Sequence, residues 1–156
     1  MDIHITVEHL AFDQLKADDR ELIERAKQMT FTSYAPYSDF HVGAALQLSN
    51  GQVYTGSNQE NAAFGIALCA ERTAFFAAGA NSPEVPPVAI AIAARSGEEF
   101  TAQPVSPCGS CRQALLEAET RFKQPIRVLL YGTEGVYVVS KVADLLPLNF
   151  DGTLMK

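Results

Sequence analysis

The sequence predicts an α/β fold of three layers, with helices on both faces of a mixed, five-stranded sheet. Three observations lead to this prediction: an amphipathic helical repeat near the N-terminus, an early hairpin signal, and apolar runs that alternate with helix-favouring segments. A chain of 156 residues can bury a complete core within one domain. We therefore expect a single domain over residues 1–156, in which residues 1–15 form an N-terminal arm.

The first half of the chain has the pattern of a helix followed by a hairpin. A helix is predicted over 18–30 from apolar residues at helical spacing, namely Leu22, Ile23, Ala26 and Met29. The segments "HVGAALQL" (41–48) and "QVYTG" (52–56) predict two antiparallel strands, because Asn50 and Gly51 between them tolerate the positive φ of a tight turn.

The second half of the chain predicts two helices and three strands. Small, helix-favouring residues indicate a helix over 68–80. Pro107 and the high helix propensity of the residues that follow indicate another helix that begins near Cys108. Apolar runs predict the remaining strands, at 88–94, 126–132 and 136–140.

Composition and charge restrict the class of ligand. The net charge is −6 and the pI is near 5.0, whereas nucleic-acid binding depends on Lys and Arg that neutralise phosphates. No run approaches the roughly 20 apolar residues of a membrane span, and "MDIHITVEHL" lacks the features of a signal peptide. We expect a cytoplasmic protein with a small-molecule ligand, and no nucleic acid polymer or membrane as partner.

Three cysteines are the residues most suggestive of chemistry. Cys108 and Cys111 form a C-x-x-C pair, which is also found in redox motifs, and two inert core thiols are a further alternative. Cys69, taken alone, has the pattern of a small buried hydrophobe. If all three bind Zn²⁺, the fourth tetrahedral position stays open, as in catalytic rather than structural zinc sites.

Two charged residues after Cys69 fit such a site. Glu71 is placed to carry protons for a zinc-activated water, although an acid in a first helical turn also stabilises the helix dipole. Arg72 can offset the negative charge of three thiolates, or it can be an ordinary surface charge. No metal-binding pattern is formed by the histidines, which we expect on the surface or in loops: His4, His9 and His41.

Four segments in this order resemble the small zinc-dependent cytidine deaminases of pyrimidine salvage: "SYAPYSDFHVGAAL", "NQENAAF", "CAERT" and "PCGSCRQ". The resemblance runs from about Thr30 to "LLPLNF" (145–150). It implies one Zn²⁺ per chain, and the residues that match the three zinc ligands are Cys69, Cys108 and Cys111. It also implies that Glu71 is the proton shuttle in the hydrolysis of cytidine and 2′-deoxycytidine to uridine and 2′-deoxyuridine with release of ammonia.

The resemblance further implies how the nucleoside is held. Asn58 and Glu60 match a pair that hydrogen-bonds the ribose 3′-hydroxyl, and Phe40 matches a ring on the pyrimidine face, although core packing is its ordinary role. The family is commonly a homotetramer in which a C-terminal phenylalanine reaches a neighbouring active site. The remaining matched positions are Ala62 and Ala70, where backbone groups approach the substrate, and Phe150, which can instead be core.

Three positions depart from the family pattern. Gln59 stands where a β-branched apolar residue is more common, and Phe64 stands where a tyrosine is usual. His41 stands where proline is frequent, which makes that turn less rigid. None of the three touches the predicted zinc site, so we expect them to affect substrate choice rather than reaction type.

Other functions remain compatible with the same residues. A related zinc deaminase can act on a modified aminopyrimidine nucleoside such as blasticidin S, and a zinc-binding module of the same fold can lack catalysis. Deamination within RNA or DNA requires a basic channel, which 12 Lys plus Arg against 18 Asp plus Glu do not favour.

Overall fold

The computed structural model describes residues 1–155. Its helices are α1 (Ala17–Met29), α2 (Ala70–Asn81) and α3 (Gly109–Phe122). Its strands are β1 (Val7–Leu10), β2 (Phe40–Leu48), β3 (Val53–Ser57), β4 (Pro87–Ser96), β5 (Glu99–Phe100), β6 (Arg127–Gly132) and β7 (Gly135–Val139). Across these 155 residues, no helix combines the length and the apolar character needed to cross a membrane.

All strands join one mixed sheet with the order β1-β7-β6-β4-β2-β3, and β5 pairs with β4 beside this path. Only β4 and β6 pair in parallel, while the other pairs are antiparallel. The predicted α/β class with a mixed sheet is therefore confirmed. Every predicted helix and strand is present, with boundaries that agree or are shifted by one or two residues.

The predicted number of five strands is wrong, since the sheet has seven. β5 is two residues long and follows a turn at Gly97, so it is too short to show a strand periodicity. β1 comes from the segment expected to be an arm. It pairs along its whole length with β7, and the His9 ring lies edge-on to Tyr137 with a centroid distance of 5.0 Å.

The two faces of the sheet carry separate apolar layers. Along β4, Ile90 and Ile92 belong to the cluster that packs against α2 and α3, while Ala89 and Ala91 belong to the cluster beneath α1. This alternation is what a strand buried on both faces requires. The small side chains allow α1 to lie close to the sheet.

The position of α2 is determined by its close approach to β3. A Cβ at Gly56 would lie 2.6 Å from both the Ala70 carbonyl oxygen and the Ala74 nitrogen, so only glycine permits this packing. Ala70 and Ala74 are fully buried. The first turn of α2 is thus held firmly against the sheet, next to the start of α3.

Candidate active site

Two of the three cysteines lie at helix N-termini. Cys69 is the N-cap residue of α2 and Cys108 is the N-cap residue of α3, and the carbonyl of each accepts the first helical hydrogen bond. Cys111 follows one turn into α3 and is fully buried. Because helix N-termini favour negative charge, both helices stabilise thiolates at this point.

The three sulfur atoms form a compact group. Sγ of Cys108 lies 3.8 Å from Sγ of Cys69 and 3.5 Å from Sγ of Cys111, and all three lie within 4.8 Å of one another. A tetrahedral zinc with Zn–S bonds of about 2.3 Å places its sulfurs about 3.8 Å apart. The group therefore fits a zinc ion, and a fourth position remains for a ligand other than cysteine. A redox pair would not need the third thiol.

The site already favours a thiolate at Cys69. A hydrogen bond from the Cys111 thiol, followed by one from Arg72, lowers the pKa of Cys69 to about 5. The same shared proton raises the pKa of Cys111. Nη2 of Arg72 lies 3.6 Å from Sγ of Cys69, so Arg72 faces the sulfurs rather than solvent alone. Its cation offsets part of the thiolate charge, and that contact raises the pKa of Arg72.

Glu71 lies in the first turn of α2 and interacts with Cys69 and Cys111. Only 5% of the residue is exposed, and this burial raises the pKa of its carboxyl to about 7, helped by the nearby Cys69 thiolate. A carboxyl placed only to stabilise a helix dipole would be expected at the surface. A group that gains and loses protons near neutral pH suits general acid–base chemistry.

An open cleft lies beside these residues. Seven of the predicted site residues line it: Phe40, Asn58, Glu60, Cys69, Ala70, Glu71 and Cys108. Cys111 is buried in the first turn of α3, with its Sγ next to that of Cys108. Within this chain the structure does not bring two further predicted residues to the cleft wall, Ala62 and Phe150.

The polar end of the cleft is formed by Asn58 and Glu60. Oδ1 of Asn58 accepts from the Val42 amide and from the Ser33 hydroxyl, and its Nδ2 donates one hydrogen to the Phe40 carbonyl. Both lone pairs of Oδ1 are thereby used, and one N–H remains for a ligand.

Glu60 offers the complementary group. Its Oε1 accepts from the amides of Tyr37 and Ser38, and its Oε2 accepts from the Ser38 hydroxyl at 2.6 Å. The Ser38 hydroxyl is the largest factor that lowers the pKa of Glu60, so its carboxylate is an acceptor with free lone pairs. One donor beside one acceptor suits a hydroxyl group, which donates and accepts at once.

Four further residues line the cleft that sequence reasoning did not identify: Ser38, Val42, Val105 and Ser106. Val105 and Ser106 lie three and two residues before Cys108, so their closeness to the C-x-x-C segment could have indicated them. Ser38 acts through Glu60, a contact over 22 residues that no local pattern reveals.

The positions that depart from the family pattern have distinct environments. The Gln59 side chain is exposed and donates to the Ser57 hydroxyl, so it binds the protein's own chain. Phe64 is 80% exposed, with its ring 6.2 Å from that of Tyr37. His41 was expected at the surface or in a loop, but it is half-buried in β2 because its ring is hydrogen-bonded on both sides.

Comparison with known proteins gives a consistent result. The family model described as the cytidine and deoxycytidylate deaminase zinc-binding region matches residues 16–124. A cytidine deaminase of Halalkalibacterium halodurans is 41% identical over 136 residues, which cover 85% of this chain and 94% of that protein. A cytidine deaminase of Sporosarcina psychrophila is 38% identical over 133 residues, covering 85% and 91%.

Comparison with solved structures gives the same result as the comparison of sequences. The crystal structure of cytidine deaminase from Burkholderia pseudomallei superimposes with a TM-score of 0.73 at 42% identity, covering 87% of this chain and all of that chain. The cytidine deaminase of Mycobacterium tuberculosis superimposes with a TM-score of 0.68 at 32% identity, covering 87% and 99%. This chain, with its three-cysteine group, is therefore similar in sequence and in fold to proteins named cytidine deaminase.

Proposed function

The chain belongs to the cytidine and deoxycytidylate deaminase family. From this premise we propose that it is a zinc-dependent hydrolase that converts cytidine and 2′-deoxycytidine into uridine and 2′-deoxyuridine with release of ammonia, as in pyrimidine salvage. Its class as an enzyme and its use of cytidine rest on the family and on the relatives of that name. Action on the deoxynucleoside is the extension that we add.

One observation carries the proposal: three sulfurs at two helix N-termini adjoin a buried carboxyl group at the end of an open cleft. Cys69, Cys108 and Cys111 would hold zinc. When bound, zinc supplies a Lewis acid that increases the acidity of water, chemistry known for zinc deaminases as a class. Arg72 and the two helix N-termini offset the charge of the thiolates.

Glu71 is proposed as the proton carrier. It takes a proton from the attacking water and delivers it to N3 of the pyrimidine while the water oxygen bonds to C4. It then carries the remaining proton of that oxygen to the exocyclic amino nitrogen. The C4–N bond breaks, a carbonyl forms at C4, and ammonia leaves. A pKa of about 7 allows the same carboxyl to accept and donate in turn.

The rest of the cleft is proposed to orient the nucleoside. The free N–H of Asn58 and the free lone pairs of Glu60 fit the sugar 3′-hydroxyl, and a site built to hydrogen-bond a hydroxyl discriminates against ligands that lack it. Phe40 would pack on the pyrimidine face. Backbone groups at Ala62 and Ala70 would complete the contacts to the substrate.

We extend the proposal to the assembly, a homotetramer in which Phe150 reaches a neighbouring site. Phe150 is 63% exposed and lies outside its own cleft, while its carbonyl accepts from Gln113 in the first turns of α3. Phe64 and Ile66 are further exposed apolar residues, and Phe64 lines a small pocket that shares Glu60 with the cleft. Sedimentation of the zinc-loaded protein at a mass of four chains is the expected result, and a monomer that turns over normally would contradict it.

We also propose that residues 1–156 form one domain and that the protein works in the cytoplasm on free nucleosides. The net charge of −6 supports a small ligand over a nucleic acid polymer. Filter binding of single-stranded DNA and RNA at low salt is expected to show no retention. Retention that decreases with salt would contradict this part of the proposal.

The direct test is an absorbance assay with purified, zinc-loaded protein. Cytidine and 2′-deoxycytidine are expected to lose their amino group, whereas cytosine, which lacks the sugar, and adenosine are expected to react far more slowly. Faster turnover of a modified nucleoside such as blasticidin S would favour the related-deaminase alternative. Bound zinc without ammonia release from any of these substrates would favour the non-catalytic module.

A further inference from the structure

A chain of hydrogen bonds runs from the surface to the polar end of the cleft. Oδ1 of Asp39 lies 3.0 Å from Nε2 of His41, and Nδ1 of the same ring lies 3.1 Å from the Ser33 hydroxyl. The hydroxyl of Ser33 lies 2.6 Å from Oδ1 of Asn58. Ser33 and Asn58 are 25 positions apart, so these hydrogen bonds link two segments that are distant in the sequence.

The direction of the bond between Ser33 and Asn58 follows from the rest of the carboxamide. Oδ1 of Asn58 accepts from the Val42 amide at 2.8 Å, and Nδ2 donates to the Phe40 carbonyl at 2.9 Å. These backbone partners fix which end of the amide is oxygen. The Ser33 hydroxyl must therefore donate its only hydrogen to Asn58, and its oxygen is left to accept.

The hydrogens required along this series of hydrogen bonds determine which protonation state of His41 satisfies every bond. Ser33 needs a donor, which is an Nδ1–H of His41. The Asp39 carboxylate only accepts, so it needs an Nε2–H of the same ring. Each neutral tautomer has only one of these two hydrogens. Only the doubly protonated imidazolium makes all three bonds, which join Asp39 to His41, His41 to Ser33, and Ser33 to Asn58.

The surroundings hold the far end of this chain in place. Asp39 has a φ of 52°, a conformation that Asp tolerates better than most residues, and its amide donates to the Ala35 carbonyl. Its own carbonyl accepts from the Gly97 amide. The His41 side chain is 19% exposed, whereas that of Asp39 is 77% exposed. Protons can therefore exchange with solvent at the Asp39 end.

Charged groups face His41 from three elements. Asp39 contacts the ring, and Glu60, beyond β3, is close enough that the charge of His41 contributes to lowering the pKa of Glu60. Arg95 lies opposite His41 in the register of β4 and opposes a positive ring. Its guanidinium donates to the carbonyls of Gly97 and Thr30.

We propose that Ser33 and His41 are positioning residues for the sugar of the nucleoside, because the imidazolium form of His41, acting through Ser33, fixes the Asn58 carboxamide that faces the 3′-hydroxyl. This inference rests on the proposed function of Asn58. Without the Nδ1–H of His41, the bond to the Ser33 hydroxyl is lost and the Asn58 carboxamide is held less firmly. Affinity for substrates with a 3′-hydroxyl then falls, while the zinc end of the cleft is unaffected.

The first test compares two substrates in a Ser33→Ala variant. KM for cytidine is expected to rise about 3- to 10-fold with kcat within about twofold, as for the loss of one hydrogen bond. The affinity for 2′,3′-dideoxycytidine, measured as a substrate or as a competitive inhibitor, is expected to stay unchanged. Ser33→Thr keeps the hydroxyl and is expected to restore KM. Equal losses for both nucleosides, or no rescue by threonine, would overturn the inference.

The second test uses a His41→Gln variant over a range from about pH 5.5 to about pH 8, in which histidine side chains change charge. The ratio of KM for the variant to KM for the wild type is expected to be largest at acidic pH and to approach one at alkaline pH. Taking the ratio cancels the titration of groups common to both proteins. His4→Gln, which changes an exposed histidine in the N-terminal segment, is the matched control and is expected to give a ratio of one throughout. A ratio for His41→Gln that does not change with pH would overturn the inference.

A third readout does not depend on turnover. In ¹⁵N spectra of the histidine rings, the signal absent from His41→Gln identifies His41. At a fixed pH, its doubly protonated fraction is expected to be smaller in Ser33→Ala than in the wild type, and equal fractions would contradict the chain of bonds. Failure of the wild type to deaminate cytidine would refute the proposed function instead, so the two failures are distinguishable.

Discussion

The two ends of the cleft are built from different kinds of structure. The end proposed to bind zinc, called the metal end, is formed by Cys69, Glu71, Cys108 and Cys111 on the first turns of two helices that pack against the sheet. The end proposed to bind the sugar, called the sugar end, is formed by Phe40, Asn58 and Glu60 on strand ends and loops held by hydrogen bonds to backbone groups. At the start of a helix, a few consecutive residues determine where the side chains lie. The side chains of the sugar end are instead held by contacts between segments that are distant in the sequence. On the proposed assignment, the reaction depends on the starts of two helices and the substrate preference on contacts between distant segments.

The largest expected effect is the loss of zinc in a Cys69→Ala variant. Removing one of three protein ligands is expected to reduce the zinc content well below one ion per chain and to bring turnover below detection. Ser110→Ala changes an exposed residue between the other two cysteines and is expected to keep both zinc and activity. Metal analysis and ammonia release measure the outcome. Full zinc content in Cys69→Ala would refute the three-cysteine site.

The next effect concerns Glu71→Gln, which removes the proton carrier without removing a ligand. We expect kcat to fall by about 10²- to 10⁴-fold, the usual contribution of general acid–base catalysis, with zinc retained at about one ion per chain. Metal content and steady-state kinetics on the same sample give both values. Turnover at the wild-type rate would show that another group carries the proton.

A smaller effect is expected at the sugar end in a Glu60→Gln variant. The carboxylate accepts from two backbone amides and the Ser38 hydroxyl, so its loss is expected to raise KM for cytidine by about 10- to 100-fold. The zinc content is expected to stay unchanged, in contrast to Cys69→Ala. Glu117→Gln, an exposed acid on α3, serves as the control for loss of one negative charge. A decrease confined to kcat would place Glu60 in the chemical step.

The smallest effect on activity is expected from removal of residues 2–11, which include β1 at the sheet edge opposite β3. Both ends of the cleft are distant from β1 in the sheet, so kcat and KM are expected to stay within about twofold. The melting temperature is expected to fall by about 2 to 4 °C for each kcal/mol of lost stability, because the pairing with β7 is removed. A large change in KM would show that β1 supports the cleft.

The same contrast explains what the sequence could predict. The metal end is encoded in two short motifs, so residue type and spacing were sufficient to name its side chains and to place the starts of α2 and α3. At the sugar end, the roles of Ser33, Ser38 and His41 arise from contacts over 8 to 25 residues, which no local periodicity encodes. β1 was missed for a related reason, because its pairing with β7 joins the two ends of the chain.

The most direct test of this division between chemistry and selectivity uses two substrates and two variants. We would measure kcat/KM for cytidine and for 2′,3′-dideoxycytidine in Glu71→Gln and in Asn58→Ala. We expect Glu71→Gln to lower both values by the same factor, whereas Asn58→Ala is expected to lower the value for cytidine alone. Equal losses for both substrates in Asn58→Ala, with zinc content unchanged, would contradict the assignment of a separate sugar end.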